Sequence, residues 1–159
     1  MVVRGTESKA VDGALLESMA QRRPNARLLS LPAGHVTHHD DAAGFNAAYD
    51  QGLISADSTF TPAPEVPGSQ TYVGRDGFAE FLRAWTDEFA DWKMWPEEIL
   101  DASDEQVVAI VSQLATGKGS GATVELRFAV VYTLRAGQVV DRRHYLEPAD
   151  ALEAAGLRK

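Results

Sequence analysis

The chain contains no cysteine. Disulfides, thiolate metal sites and cysteine nucleophiles are therefore excluded. Positive charge is also scarce: 15 Lys and Arg stand against 23 Asp and Glu, a net charge of −8, with no basic run or stripe. Nucleic acid and anionic membrane surfaces are thus not expected as partners. Long hydrophobic runs are missing, and no stretch approaches the ~20 apolar residues of a membrane helix. The opening MVVRGTESKAVDG lacks the apolar segment of a signal peptide, so a cytoplasmic location is expected. What is present is the ordinary balance of a globular chain: 159 residues, 45% hydrophobic and 24% charged. That is long enough for one domain with a substantial core. Residues 1–10 read as a flexible start and 11–159 as a single domain.

The most informative stretch is Ala122 to Leu146, which reads as two long strands joined by a turn at Arg135-Ala136-Gly137. Val124, Leu126, Phe128, Val130, Tyr132 and Leu134 alternate with Glu125, Arg127, Ala129, Val131 and Thr133. A period of two marks a strand with one apolar face. A three-residue loop with Gly137 left-handed pairs Leu134 with Gln138, Tyr132 with Val140, Val130 with Arg142 and Phe128 with His144. A two-residue turn shifts the pairing by one and brings Asp141 and Arg143 among the apolar residues instead. Val140, His144 and Leu146 suit the apolar face better. The expectation is therefore the three-residue loop, with Arg142 and His144 facing inward.

Elsewhere, Val11 to Arg23 has helical spacing and stops at Pro24, and Ala26 to Leu31 is a short apolar run that fits a strand. A loop follows with His35, His38 and His39, then a helix from Asp40 or Asp41 to about Gln51. Ser58 to Thr61 suggests the first strand of the main sheet. Pro62, Pro64, Pro67 and Gly68 make an irregular crossing. A helix is expected from Asp76 to about Ala90, with Phe78, Leu82, Trp85 and Phe89 as its buried stripe and Phe81 beside it. Trp92 to Ala102 reads as a strand interrupted near Pro96, which suits an edge or a bulge. Gln106 to Thr116 is a strand apolar on both faces. Gly117 to Gly121 is a hairpin loop without the Gly-Lys-Ser/Thr pattern of a phosphate loop. A last short helix starts near Pro148 and stops at Gly156. Helices and strands are largely segregated, which argues an α+β fold: a curved antiparallel sheet wrapped around helices as a cone.

From about Asp57 to Leu157 the chain resembles the SnoaL-like branch of the nuclear transport factor 2-like superfamily. The landmarks are Ala56-Asp57-Ser58-Thr59-Phe60, then Tyr72-Val73-Gly74-Arg75-Asp76-Gly77 entering the helix to Phe89. The hairpin strand Phe128 to Gly137 and the ending Tyr145-Leu146-Glu147-Pro148-Ala149-Asp150 complete them. The resemblance implies an α+β barrel, a hydrophobic cavity and no cofactor; the fold hosts isomerases, cyclases, dehydratases, epoxide hydrolases and plain binding modules. In its polyketide cyclases and epoxide hydrolases an inward carboxylate on the last strand does acid–base work. Laying their Trp-Arg-Asp-Tyr-like motif over Arg142-Arg143-His144-Tyr145 puts His144 at that position, a histidine in place of the carboxylate. The Arg and Asp two apart that epoxide hydrolases need on an earlier strand are replaced by Ser112 and Gln113 in Ile110-Val111-Ser112-Gln113-Leu114. Ala26 to His35, followed by Phe45-Asn46, is similar to the C-terminal end of α/β-hydrolases, where a Gly-His carries the catalytic histidine. No Gly-x-Ser-x-Gly elbow precedes it, and His35 is given no triad role.

The candidate catalytic residues are His144 and Arg142. A histidine can give or take a proton near neutral pH, or simply form part of a pocket wall through a hydrogen bond. Arg142 either orients an anionic group or lies at the rim with its stem buried. Phe60, Tyr72, Phe81, Trp85, Gln113, Phe128 and Tyr132 are the candidate ligand-lining residues. The aromatic stripe is equally read as core. His35, His38 and His39 with Asp40 and Asp41 do not have the arrangement of a metal site, because adjacent His38 and His39 point opposite ways on an extended segment. Two functions follow. One is a cofactor-independent enzyme of isomerase, cyclase or hydrolase type acting on a small hydrophobic oxygenated molecule. The other is a non-catalytic ligand-binding or dimerisation module. A homodimer is expected in either case, because one face of Gln106 to Thr116 is left to meet a partner.

Overall fold

The computed structural model describes residues 2–5, 28–31 and 52–157. The chain divides into two compact units, Met1–Leu53 and Ile54–Lys159, where a single domain over 11–159 was expected. In the first unit, strand β1 (Val2–Gly5) pairs in parallel with strand β2 (Leu28–Leu31), in register Val2↔Leu28 to Gly5↔Leu31. The expected flexible start over residues 1–10 thus contributes a strand: β-branched Val2 and Val3 favour extended backbone, and a parallel pair leaves room for a long connection. The expected helices at 11–23 and 40–51, the histidines His35, His38 and His39, and the hydrolase-like Gly34-His35 lie outside the described residues.

The second unit is built on a six-stranded sheet in the order β4–β3–β8–β7–β6–β5. The strands are β3 (Ile54–Thr61), β4 (Tyr72–Val73), β5 (Phe89–Asp101), β6 (Gln106–Gly117), β7 (Thr123–Arg135) and β8 (Gln138–Tyr145). Helix α1 (Gly74–Asp87) connects β4 to β5, and helix α2 (Pro148–Ala154) follows β8. The α+β class is as read from the sequence. The sheet is mixed rather than wholly antiparallel, because β3 runs parallel to β8. These two strands are joined through most of the chain rather than by a tight turn, so nothing local forces them antiparallel.

Edge strand β5 shifts register between Pro96 and Glu98, as a proline without an N–H requires. Helix α1 ends at Asp87, so Phe89, expected on its stripe, belongs to β5 and pairs with Gly117. Strand pairing, with the Lys118 N–H donating to the Glu88 carbonyl at 3.0 Å, outweighs the helical spacing of that aromatic. At the other end of α1, Gly74 adopts φ +69, and a Cβ there would lie 2.8 Å from the Ala56 carbonyl oxygen. Only glycine lets the helix start this close to β3.

The β7–β8 turn differs from the three-residue loop. Ala136 and Gly137 have φ of +50 and +79, and Arg135 pairs with Gln138. This is a two-residue turn of the kind whose twist matches the strands. The pairing then slips: Leu134 faces Val139, but Thr133 faces Asp141, leaving Val140 as a bulge. The extra residue restores the parity that the shorter turn would have lost. Arg142 pairs with Tyr132 and His144 with Val130, so both stay on the apolar face.

The two faces of the sheet are thereby fixed. One, the α2 face, buries Val108, Ile110, Ala129 and Val131 with Ala151 of α2. The other, the aromatic face, buries Ala109, Val111, Phe128 and Val130 against Met94, Ile99 and Tyr132. Most of both apolar sets of β6 is therefore covered within the chain, with Leu114 left exposed. Among the described residues no helix is long and apolar enough to cross a membrane.

Candidate functional site

The aromatic face carries most of the residues singled out from the sequence. Phe60 of β3 is 7% exposed and packs its ring 5.1 Å from Phe78 and 4.6 Å from Phe81, centroid to centroid. Tyr72 reaches Phe81 at 5.4 Å, Phe81 stacks on Trp85 at 6.0 Å, and Trp85 meets Phe89 at 5.6 Å. Together these rings form a ladder along α1, and Phe78, Phe81, Trp85 and Phe89 each keep part of their surface open. An amphipathic helix places its stripe on the sheet; here the stripe is only half covered.

Arg142 pairs in register with Phe60 across the parallel strands. Its guanidinium carbon lies 3.9 Å from the Phe78 ring centroid and 5.7 Å from that of Phe60. At 5% exposure it is buried among the rings, not at a rim. Cation–π attraction is strongest in such a water-poor place.

His144 is half-buried beside Phe128, edge to face at 4.6 Å. Its Nδ1 accepts the backbone N–H of Ala63 at 3.3 Å. Burial lowers its pKa to about 4, while the Glu65 carboxylate pulls it upward. Desolvation disfavours the imidazolium, so the ring is neutral at physiological pH. The loop that supplies Ala63 is tied down: the Val66 N–H donates to Ala63 O at 3.0 Å, and the Ser69 hydroxyl donates to Pro62 O at 3.1 Å.

Gln113 is 2% exposed on the same face, between Met94 and Leu126, and its Nε2 has no hydrogen-bond partner among the described residues. It stands four residues from Ala109, which is in line with His144 through Val130. At the usual strand rise that is about 13 Å along the sheet. Phe128 and Tyr132 flank His144 and Arg142 on β7. The structure thus gathers His144, Arg142, Phe60, Phe128 and Tyr132 in adjacent rows, sets Tyr72 and Phe81 against Phe60 with Trp85 beyond Phe81, and leaves Gln113 apart.

Sequence reasoning missed three groups on this face. Ser58 is 1% exposed, and its Oγ has no partner among the described residues. Ala63 and Glu65 lie in the crossing that was read only as a connection. A signal was present there: in Pro62-Ala63-Pro64 only Ala63 has an N–H to give. Among the described residues no group of three or more His, Asp or Glu could hold a metal ion.

The α2 face offers a different arrangement. A cleft of about 700 Å³ is lined by Asp57, Thr59, Thr133, Arg135, Asp141 and Arg143, among others. Its polar groups are satisfied by one another: Thr59 donates to Asp141, and Arg143 Nε bonds Asp141 at 3.0 Å. Further along, Glu97 accepts from the Ser112 hydroxyl and from Arg127 Nε at 2.7 Å, which holds its carboxyl below the usual range.

The model of the SnoaL-like domain family matches residues 35–142, more than half of the chain. The chain belongs to the SnoaL-like domain family. Solved structures share the fold. A nuclear transport factor 2-like protein of unknown function from Burkholderia pseudomallei is 21% identical, with a TM-score of 0.58 over 73% of this chain and 86% of its own. A candidate SnoaL-like polyketide cyclase from Jannaschia sp. is 15% identical, with a TM-score of 0.56 over 74% and 82%. TerC, co-crystallised with polyporic acid, is 18% identical, with a TM-score of 0.53 over 65% and 81%. No curated protein is a significant match.

Proposed function

We propose that this SnoaL-like domain binds a small, apolar, oxygenated molecule on its aromatic face and performs cofactor-independent acid–base chemistry on it, of isomerase, cyclase or hydrolase type. The observation that carries the reading is His144: half-buried among aromatic rings, neutral at physiological pH, and fixed through Nδ1 by Ala63. Half-covered Phe81 and Trp85 supply a flat apolar surface for such a molecule. The co-crystal of TerC with polyporic acid and the cyclase name of the Jannaschia protein are in keeping with it. A thermal-shift and turnover screen with cyclic ketones, lactones and epoxides tests it. The His144→Asn variant should lower turnover by about 10²–10⁴-fold while leaving binding largely intact.

The second reading, a binding module without catalysis, is favoured by the lowered His144 pKa, since a ring with a pKa of about 4 is a weak base. In that case ligands bind and none is turned over. Homodimerisation belongs to the same proposal, with Leu114, exposed on β6, as an apolar contact. Light scattering that shows a monomer at micromolar concentration removes it.

A further inference from the structure

We infer that His144 works as a fixed hydrogen-bond donor, not as a base, and that the ligand places an acceptor oxygen, a ketone carbonyl or the enolate formed from it, against its Nε2–H. The inference deepens the reading of the aromatic face as a ligand site and rests on it.

The argument begins with which nitrogen holds the proton. A neutral imidazole has one N–H and one lone pair. The Ala63 N–H points at Nδ1 and needs the lone pair there, so the proton sits on Nε2. Prolines on both sides deprive Ala63 of competing neighbours, and the turn hydrogen bonds from Val66 and Ser69 hold the loop in place. For His144 to act as a base through Nδ1 it would have to displace Ala63, whose N–H would then be left unsatisfied in a buried place. To act as a base through Nε2 it would have to carry its proton on Nδ1, against the Ala63 N–H. Neither is available without moving the loop.

Nε2–H has no acceptor among the described residues, and the rings beside it offer no lone pair of comparable strength. It is not among the enclosed polar atoms, so it stays open to an acceptor on a ligand. A carbonyl oxygen satisfies it, and an enolate oxygen satisfies it better, because charge on the acceptor strengthens a hydrogen bond. The ring thus stabilises the negative oxygen that forms when a proton leaves the carbon beside a carbonyl. The proton itself must go to another group, and we assign it to the Glu65 carboxylate, two residues from Ala63 on the same loop.

The test uses the full chain with ¹⁵N-labelled histidine and matched probes: α-tetralone, which has a carbonyl, and tetralin, which has the same skeleton without it. The four histidines are told apart by comparison with His144→Gln. At neutral pH, long-range ¹H–¹⁵N correlation should show His144 protonated on Nε2 and bare on Nδ1. α-Tetralone should shift that Nε2–H and bind about tenfold more tightly than tetralin, the worth of one hydrogen bond. His144→Gln, which keeps a donor near the Nε2 position, should hold that preference within about threefold, whereas His144→Phe should erase it. A ring protonated on Nδ1, or on both nitrogens, overturns the inference while leaving the ligand site intact. Equal binding of the two probes overturns the acceptor oxygen. Binding of neither sinks the ligand-site reading itself, and this inference with it.

Discussion

The two faces of one sheet treat their polar groups in opposite ways. On the α2 face they are paired: Glu97 takes hydrogen bonds from both Ser112 and Arg127, and Asp141 takes them from Thr59 and Arg143. Among the described residues of the aromatic face Gln113 Nε2 and Ser58 Oγ are enclosed without partners, and His144 is tied at one nitrogen only. A buried polar group without a partner lowers stability by about 1–3 kcal/mol. A fold that tolerates two of them on one side, and none among the described residues on the other, gives up stability where a ligand can return it. The difference teaches which charged residues to leave out of a mechanism: Arg143 and Asp141 sit beside Arg142 and His144 in sequence, yet they belong to the structural side.

The sharpest test of that division compares two aromatic residues. Phe60 is buried core, touching Phe78, Phe81 and the Arg142 guanidinium. Phe60→Ala should destabilise the domain by about 3–5 kcal/mol in urea unfolding. Trp85, half-open on the ladder, should lose about 1 kcal/mol or less on truncation to Ala and lose ligand affinity instead. Equal losses of stability would make the ladder plain core and remove the ligand surface.

The pH dependence of His144 comes next in size. Its folded pKa, about 4, lies below the ordinary value of 6.5. The unfolded chain therefore binds the proton first as pH falls. The stabilising contribution is complete above about pH 6.5 and is lost progressively down to about pH 4. Between pH 6.5 and 5 the loss should be about 1–2 kcal/mol, allowing for the partial exposure of the ring. His144→Gln should flatten that part of the curve relative to the parent, whatever the other histidines do. A variant with the same slope as the parent would mean that His144 titrates normally.

How much of this was legible in the sequence depended on whether the deciding interaction was local. The alternation along β7 put Phe128, Val130 and Tyr132 on one face correctly, because a strand's period is intrinsic to its backbone. The turn was read as three residues and is two. His144 still faces inward because Val140 bulges out, and no rule of alternation shows a bulge before the partner strand is known. The same limit moved Phe89 from helix to strand: its spacing fits α1, but pairing with Gly117 across a distant hairpin decides otherwise. For Arg142 the sequence left both an inward role and a rim position open; the rings of Phe60 and Phe78, far apart in sequence from it, decide against the rim. Ala63 and Glu65 act through a backbone N–H and through a field, neither of which a residue-type search looks for.

On the α2 face the paired network gives a smaller contrast. Ser112 is 3% exposed and donates to Glu97, so Ser112→Ala leaves one carboxylate oxygen short and should cost about 1–2 kcal/mol. Arg127 is half-exposed at its end of the same network, with 53% of its side chain accessible. Arg127→Ala should cost less than about 1 kcal/mol, and less again at high salt. A double-mutant cycle between Ser112 and Arg127 should show coupling, because both meet on Glu97. Neither change should alter ligand binding; if either does, the two faces are not independent.

The smallest expected effect is at the turn that assigns residues to the faces. Ala136 holds φ +50, where an L side chain is disfavoured by about 1–2 kcal/mol. A glycine in its place would relieve that strain, but glycine gives the unfolded chain more freedom to lose, about 0.5–1 kcal/mol. The two nearly cancel, so Ala136→Gly should raise stability by about 0.5 kcal/mol at most, read as a small upward shift of the urea midpoint with an unchanged slope. It should leave the His144 resonances where they were, because the bulge at Val140, and not the turn alone, sets the register beyond Leu134. A change in those resonances would show that the turn is still deciding which face His144 occupies.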